Sequence, residues 1–475
     1  MRFVRESVAG LPRTFWMLFS AMLVNRVGAF GMLLLPIYLT TARGASVAVA
    51  GLVVGAYGAG GAGGTLLGGV LADRWGRKAT YLAGTSVAAL LMVGLGLARP
   101  IWLIATLAAA VGLAHSLPGP AVVAAIVDVL PEADRSRAFN LQFWAFNMGS
   151  AIAAALAGVI AEFSFLALFL IDAGMTAVTA LLVWRLVPET LRRQRTATSP
   201  VGASTTAPAA PTAPAAGSGT GPAAPPGIDA GLSHRESGSQ NRRDRPASIW
   251  RRLPINRTAD RSADQVGLAV VLRDRVFLTF VGLTFVLALL TVQGQSILQL
   301  AMEGDGLRPS AYGLVVSLGG AMIVVGQLFV PKLIGARRHA VVLAAAFSLL
   351  AVGYSTVFLA DRLWVYVAAA SVWTVGQMLA APPNASIIAE LAPTALRGRY
   401  QGVFFLVFPA AGFVAPSVGG WSLQHLGPWH WLACGALGLL GAAGHLWTAR
   451  RREARAASIR AVEMTPQATD EPAFA

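Results

Sequence analysis

Long apolar runs constrain the fold of this chain more than any other feature. A helix needs roughly 20 mostly apolar residues to cross a bilayer, and the 475-residue sequence contains twelve such runs. Hydrophobic residues form 55% of the chain and charged residues only 12%, a balance far from that of soluble proteins. The sequence therefore predicts twelve membrane-spanning helices, near residues 14–39, 47–70, 79–97, 101–127, 138–161, 165–187, 276–301, 312–330, 340–359, 363–388, 400–423 and 429–447.

Arginine is unevenly distributed between the connectors that join these runs. Alternate connectors are rich in basic residues, whereas the others carry isolated ones such as Arg99 and Arg308. Because cytoplasmic connectors concentrate Lys and Arg, we expect a multi-pass protein of the cell inner membrane with both termini in the cytoplasm. The basic connectors contain Arg74, Arg77 and Lys78, Arg135 and Arg137, Arg192, Arg193 and Arg195, Arg337 and Arg338, and Arg397 and Arg399.

The two halves of the chain are related by an internal repeat. A gap-free shift of 262 residues brings landmark residues into coincidence, which composition alone would not do. Parallel repeats of this kind suit rocking of two bundles around a central site. We therefore predict an all-α integral membrane protein with twelve transmembrane helices in two parallel-repeat six-helix bundles. The shift pairs Trp102 with Trp364, Pro120 with Pro382, Pro131 with Pro393, and Arg135 with Arg397.

Composition also predicts the boundaries between domains. We expect an N-terminal bundle over residues 1–190, a C-terminal bundle over residues 273–450 and a cytoplasmic tail over residues 451–475. Residues 191–272 are rich in Pro, Ala, Gly, Ser and Thr and show no apolar periodicity, which predicts a disordered cytoplasmic linker. The arginine-rich part of this linker, residues 235–261, either forms a solvated tether or lies against anionic lipid headgroups.

Several function classes lack the residues they require. The formal net charge of +15 resides in connectors and the linker rather than on an amphipathic face, so we expect no nucleic-acid binding. Cys434 is the only cysteine, which excludes an intramolecular disulfide and a cysteine metal site. The sequence has no phosphate-binding Walker loop, metal-spaced His/Cys cluster or nucleophile elbow. We therefore expect no enzyme activity, no metal and no cofactor.

One short connector, "GVLADRWGRK" at residues 69–78, places an acid and three bases between two apolar runs. Two of its glycines permit a tight turn and close helix approach, and its aspartate can accept hydrogen bonds at a helix N-terminus. The connector resembles the signature loop of the major facilitator superfamily, and the twelve runs and the repeat agree with that resemblance. The residues that carry it, and the conformational latch it implies, are Gly69, Asp73, Arg74, Gly76 and Arg77, with Asp128 or Glu132 as partners of Arg77.

In that family the loop's acid binds the start of the eleventh span, in the other bundle. The resemblance implies that Asp73 holds the two bundles together in the outward-facing state. The corresponding connector of the second half reads "PKLIGARRH" and has Gly335 in place of the acid, so the latch is one-sided here.

Within the superfamily, the chain resembles the drug-efflux-like bacterial group, through "VNRVGAF" at 24–30, "FLIDAG" at 169–174, "LRDRVFLTF" at 272–280 and "LRGRY" at 396–400. The resemblance implies a secondary active permease, a multidrug antiporter that exports amphiphilic or drug-like compounds by alternating access coupled to protons. The expected partners are a small-molecule substrate, the proton and the lipid bilayer, and we expect a monomer. Two alternatives stay open: import of a small metabolite, and a non-transporting sensor or scaffold of the same fold.

Ionisable groups within the spans are few, and such groups are usually functional. Arg26 lies near the middle of the first span, next to Asn25. The resemblance implies that spans one, four, seven and ten line a cavity, with Arg26 and His115 on its N-terminal side. Such a cavity suits an amphiphile or an organic anion. Alternatively, Arg26 pairs with Asp172 or backbone carbonyls, and the amides only join helices. The amides expected to face Arg26 are Gln293, Gln295, Gln377 and Asn384.

Two residues are candidates for proton coupling. His115 is titratable near neutral pH, because a free imidazole has a pKa of about 6.5. Asp172 is the only acid clearly inside a predicted span. A structural partner for an arginine, or a buried neutral acid, is an equally good interpretation of Asp172.

Overall fold

The computed structural model describes residues 10–190 and 269–464, and every regular element in these ranges is helical. Of the linker predicted over 191–272, residues 191–268 lie outside the described residues, and residues 269–272 are helical, so the predicted disorder is wrong for them. The end of the tail over 465–475 also lies outside the described residues. The N-terminal half contains α1 (Arg13–Val27), α2 (Leu35–Ile37), α3 (Val47–Trp75), α4 (Arg77–Leu97), α5 (Ile101–Ser116), α6 (Pro118–Val129), α7 (Glu132–Phe163) and α8 (Phe165–Leu186).

The C-terminal half has the same general plan. Its helices are α9 (Arg275–Ser296), α10 (Leu298–Gly304), α11 (Pro309–Gly326), α12 (Val330–Ile334), α13 (His339–Val357), α14 (Leu363–Leu391), α15 (Arg397–Phe405), α16 (Val407–Leu426), α17 (Trp429–Trp447) and α18 (Ala449–Met464).

The described residues form ten segments that are long and apolar enough to cross a membrane. An eleventh is formed if α17 and the following stretch to Ala461, which meet at 48°, count as one span. Some segments combine two short helices, such as Arg275–Gly304 from α9 and α10. The all-helical membrane fold is thereby confirmed, although the number of continuous spans is lower than the predicted twelve.

The first predicted span, residues 14–39, is interrupted, so the prediction of one continuous helix there is wrong. Helix α1 ends at Val27, and regular structure resumes only with α2 and a π-helical turn over Tyr38–Ala42. Pro36 has no N–H to donate, but it lies in the first turn of α2, where a helix tolerates proline. Within the interruption, the backbone N–H of Gly31 donates to the Asp172 carboxylate, with N and Oδ2 2.8 Å apart. Irregular backbone persists at membrane depth only where such partners exist.

Helix starts in the two halves follow the 262-residue spacing of the sequence repeat. Packing follows it as well: α3 packs on α5 as α11 packs on α14, and α4 packs on α8 as α13 packs on α17. In the same way, α1 packs on α7 and α8, and α9 packs on α16 and α17. The paired starts are Arg13 and Arg275, Val47 and Pro309, Arg77 and His339, and Ile101 and Leu363.

Among the described residues, the halves meet chiefly where α3 packs on α16 and α7 packs on α11, and α2 also contacts α10. Glycine makes the first two contacts close. A methyl group on Gly51 would collide with the carbonyl oxygen of Pro416, and one on Gly313 would collide with the carbonyl oxygen of Ala154. Gly69 continues the face of α3 that carries Gly51, yet an added methyl there would meet nothing within 4 Å. Helices α3 and α16 therefore touch at one end of the molecule and separate toward the other.

Hydrogen bonds between the halves mark the end where they touch, which we call the closed end. Thr40 donates to Glu303, with Oγ1 and Oε2 2.6 Å apart. The amide of Gln299 donates to the carbonyl of Leu33 at 2.9 Å. Gln424 Oε1 accepts from the backbone N–H of Ala48, also at 2.9 Å. The opposite end carries Asp73 and the arginine-rich connectors, and we call it the basic end.

Candidate functional site

A cavity of about 530 Å³ lies between the two halves, near the middle of the helices. This volume falls within the range of small-molecule sites. Side chains of α1, α3, α5, α7 and α8 line it from the N-terminal half, and those of α9, α10, α11 and α14 from the C-terminal half. Both halves therefore contribute to one site, as rocking around a central ligand requires.

Arg26, in the last turn of α1, lines this cavity. Its Nε donates to Ser150 Oγ at 3.0 Å. Its Cζ lies 3.5 Å from the centroid of the Phe146 ring, so the cation rests on an aromatic face. Within the described residues, no carboxylate comes within 4 Å of the guanidinium. A hydroxyl and a ring thus hold the side chain in place, and Asp172, which lines the same cavity, acts on its charge only from a distance.

Asp172 also lines the cavity but is only 2% exposed. Its Oδ2 accepts the N–H of Gly31, and its Oδ1 accepts the hydroxyl of Thr176 at 3.4 Å. The carboxylate is therefore committed to the interrupted segment after α1. It does not form an ion pair with Arg26 in the part of the chain that the structure describes.

The other predicted residues of the N-terminal half lie where the sequence suggested. Asn25 and His115 both line the cavity. The His115 ring faces the Tyr57 ring edge-on, with centroids 6.4 Å apart and an interplanar angle of 84°. His115 lies in the last turn of α5, three residues before Pro118 starts α6, so its side chain is close to a break between two helices.

The predicted amides of the C-terminal half divide into two groups. Gln295 and Gln377 line the cavity. Gln293 does not, because its side chain is 7% exposed and its amide donates to the carbonyl of Ala415 at 3.0 Å. Asn384 is also buried, 7% exposed, and lies outside the lining. The expectation that all four amides face Arg26 is thus corrected for Gln293 and Asn384, which point into helix packing.

Several lining residues were missed by sequence reasoning. Ser150 and Phe146 position Arg26, but they belong to α7, a helix that the resemblance did not place at the cavity. Trp373 and Thr374 contribute from α14. No motif in the sequence marks these positions, since ordinary serine, threonine and aromatic residues are frequent throughout the spans.

A charged cluster surrounds the connector between α3 and α4. Gly76 turns the chain with a φ of +110°, which glycine adopts without strain. Arg77 contacts Asp73 at 3.0 Å and Asp128 at 3.3 Å. The backbone N–H groups of Arg77 and Lys78 donate to the Glu189 carboxylate at 3.0 and 3.1 Å. Glu189, which sequence reasoning missed, therefore occupies the N-terminus of α4, where a carboxylate is favoured.

The remaining residues of the predicted latch are less engaged in this conformation. The Asp73 side chain is 75% exposed, and it pairs with Arg77 in its own connector rather than with the start of α15. Arg74 is exposed in the last turn of α3. Gly69 lies inside α3 with open space around it, so its expected role in a tight turn or close approach is not seen here. The side chain of Glu132 lies outside the described part.

The sequence profile of the Major Facilitator Superfamily matches residues 15–416 and again residues 294–471. The Uncharacterized MFS-type transporter YttB of Bacillus subtilis (strain 168) is 24% identical over 420 residues, 88% of this chain and 90% of that protein. A Na(+), Li(+), K(+)/H(+) antiporter of Planococcus maritimus is 22% identical over 458 residues, 91% of this chain and 92% of the relative.

Solved structures show the same fold. The crystal structure of a POT family transporter in complex with thioalcohol conjugated peptide superimposes with a TM-score of 0.70 at 13% identity, covering 94% of this chain and 98% of that one. Sequence profile, relatives and fold agree with the cavity between two halves: the chain belongs to the Major Facilitator Superfamily and is a multi-pass membrane protein, a secondary transporter and not an enzyme.

Proposed function

We propose that this transporter exports amphiphilic or drug-like organic anions, coupled to protons, by alternating access. The observation that carries the proposal is Arg26, a cation in a cavity of about 530 Å³ with no carboxylate within 4 Å among the described residues. Asp172 offsets this charge only from a distance, and a buried charge without a partner in direct contact is costly in a low-dielectric site. A substrate carboxylate or sulfonate would remove that penalty, so binding energy would be specific for anions.

The remaining lining supports an amphiphile rather than a small polar ion. Met32, Leu33 and Ile323 supply apolar walls, and Gln295 and Gln377 supply amides on the side of the C-terminal half. Such a mixture binds an apolar body and a few polar substituents. The guanidinium would bind the anionic group, and the amides would contact the distal polar groups.

Two groups are proposed to carry the coupled proton, His115 and Asp172. Both line the same cavity as Arg26, so a change in their protonation would alter the field that an anion experiences there. The similarity to a Na(+), Li(+), K(+)/H(+) antiporter supports exchange of substrate against protons. Asp172 would couple proton binding to the interrupted segment whose Gly31 it holds.

For the architecture, we propose two parallel six-helix bundles over residues 1–190 and 273–450, in a monomer of the inner membrane with both termini cytoplasmic. The matching helix starts and helix pairs support the repeat. With that orientation the basic end faces the cytoplasm, and the hydrogen bonds at the closed end correspond to an inward-facing state. Asp73, exposed here, would bind the start of α15 when the basic end closes.

Ligand binding by Arg26 variants tests the proposal. Three naphthalene derivatives that carry a carboxylate, a carboxamide or an ammonium group differ chiefly in charge. The wild type should bind the carboxylate most tightly. Arg26→Ala should weaken binding of the carboxylate derivative by about 10- to 100-fold, the equivalent of one charge-assisted hydrogen bond. Binding of the carboxamide derivative should stay unchanged.

Matched controls separate binding from folding. Arg26→Lys keeps the charge and should retain part of the preference for the carboxylate. Arg99→Ala removes an exposed arginine outside the cavity and should leave the binding of all three derivatives unchanged. An Arg26→Ala protein that binds the carboxylate normally would remove the basis for an anionic substrate. If Arg26→Ala instead loses thermal stability and binds no probe at all, the guanidinium is a structural element.

A further inference from the structure

Tyr57 brings a polar side-chain atom from α3 to the wall of the central cavity. The other lining residues of that helix, Val54 and Gly58, have no polar side-chain atom. The Tyr57 side chain is partly buried, and its hydroxyl makes no hydrogen bond with any group among residues 10–190 and 269–464. A buried tyrosine hydroxyl usually has a partner. The Tyr57 hydroxyl is therefore a donor that lines the cavity without a protein acceptor.

Close helix contacts fix the backbone at Tyr57. A methyl group on Gly112 of α5 would collide with the Tyr57 carbonyl oxygen, and one on Gly58 would collide with the carbonyl oxygen of Gly412 on α16. Tyr57 thus lies where α3 packs on one helix of its own half and on one helix of the other half. Its ring also contacts the His115 ring edge-on. Packing alone therefore determines where the phenol lies.

The phenol of Tyr57 and the guanidinium of Arg26 are close enough to interact electrostatically. Ser150 accepts from Nε of the guanidinium, and within the described helices the two terminal nitrogens donate to no other group. Asp172, the acid of the same cavity, accepts hydrogen bonds from other donors instead of the phenol. An oxyanion has two or more acceptor oxygens, so it can accept from a guanidinium and a hydroxyl at once.

We propose that Tyr57 is a substrate-binding residue, whose hydroxyl donates to one oxygen of the anionic group while Arg26 binds another. The inference rests on the proposed function, because it requires an anion at Arg26. It adds the shape of the recognised group: a carboxylate or sulfonate uses both donors, whereas a neutral carbonyl offers a single oxygen. Since Gly58 contacts Gly412, the bound group also lies beside the two helices that separate toward the basic end.

Removing the hydroxyl alone tests this inference. Tyr57→Phe keeps the ring and its contact with His115, and affinities for the naphthalene carboxylate and carboxamide are measured on the purified full-length protein. We expect carboxylate binding to weaken about tenfold and carboxamide binding about threefold, since hydrogen bonds to charged groups are stronger. Tyr400→Phe is the matched control, because it removes the hydroxyl of a tyrosine outside the cavity. Both affinities of the control should equal those of the wild type.

A double-mutant cycle with Arg26→Ala separates this inference from the proposed function. If one anion bridges both donors, Tyr57→Phe should cost about threefold or less in carboxylate affinity once Arg26 is absent. Additive losses would overturn the role of Tyr57 and leave Arg26 as the anion site. So would equal weakening of both probes, which indicates a structural hydroxyl, or normal carboxylate binding by Tyr57→Phe. Normal carboxylate binding by Arg26→Ala would instead overturn the proposed function, and this inference with it.

Discussion

Replacing Glu303 by glutamine should open the closed end of the transporter more often. Glu303 lies in the last turn of α10 and accepts the hydroxyl of Thr40 from the other half at 2.6 Å. A hydrogen bond to a charged group contributes about 1.5–3 kcal/mol when buried. Glu303 is only partly buried, and a glutamine in its place can still accept a weaker hydrogen bond from Thr40. We therefore expect the closed form to lose about 1 kcal/mol of stability relative to the open form. The ratio of open to closed forms should then rise about fivefold.

Thiol accessibility measures this ratio. The only native cysteine, Cys434, is buried, so a cysteine introduced at Ala29 in the cavity lining reports on access from the closed end. A membrane-impermeant maleimide added from that side should label Glu303→Gln about fivefold faster than the parent, following the shifted equilibrium. Glu162→Gln, an exposed acid of the same charge elsewhere, is the control. Unchanged labelling, or equal acceleration by Glu162→Gln, would refute the role of Glu303.

Three further substitutions probe the latch, the α4 terminus and proton coupling. Asp73→Asn should favour the form open at the basic end and lower transport at normal expression, and unchanged flux with unchanged thiol accessibility on both faces would contradict this. Glu189→Ala removes the acceptor of two backbone N–H groups and should lower stability by about 1–2 kcal/mol, whereas an unchanged thermal unfolding midpoint would show those bonds to be dispensable. His115→Gln, which copies Gln377 at the repeat-related position, should flatten the pH dependence of transport while substrate binding persists, and an unaltered pH profile would exclude His115 as the proton carrier.

Much of the fold could be predicted from the sequence, because apolar length and helix propensity are local properties. The interruption after α1 could not, since the acceptor for Gly31 is Asp172, 141 residues away. Local sequence around Gly31 gives no sign of that partner. Glu189 could not be predicted for the same reason. It follows the end of α8 and stabilises the start of α4, and only the tertiary packing of these two helices brings the carboxylate to that place.

The candidate site was predictable in outline. Arg26 and His115 stand out because ionisable residues are rare within the spans, and Gln377 follows from the repeat. Depth alone does not determine which way a side chain points, and for that reason Gln293 turns toward the carbonyl of Ala415 while Gln295, two residues later, lines the cavity. Ser150 belongs to α7 and carries no distinguishing sequence signal, so the hydroxyl that positions Arg26 required the structure.

Flux into proteoliposomes under an imposed pH gradient tests the central claim most directly, that of proton-coupled transport of an organic anion. The wild type, offered naphthalene carboxylate, carboxamide and ammonium derivatives, should move the carboxylate fastest and against its own gradient, driven by protons moving in the opposite direction. Arg26→Ala should abolish this movement. Carboxylate flux in the same direction as protons would indicate import, and flux independent of the pH gradient would contradict proton coupling. Binding without any flux would indicate a sensor rather than a transporter.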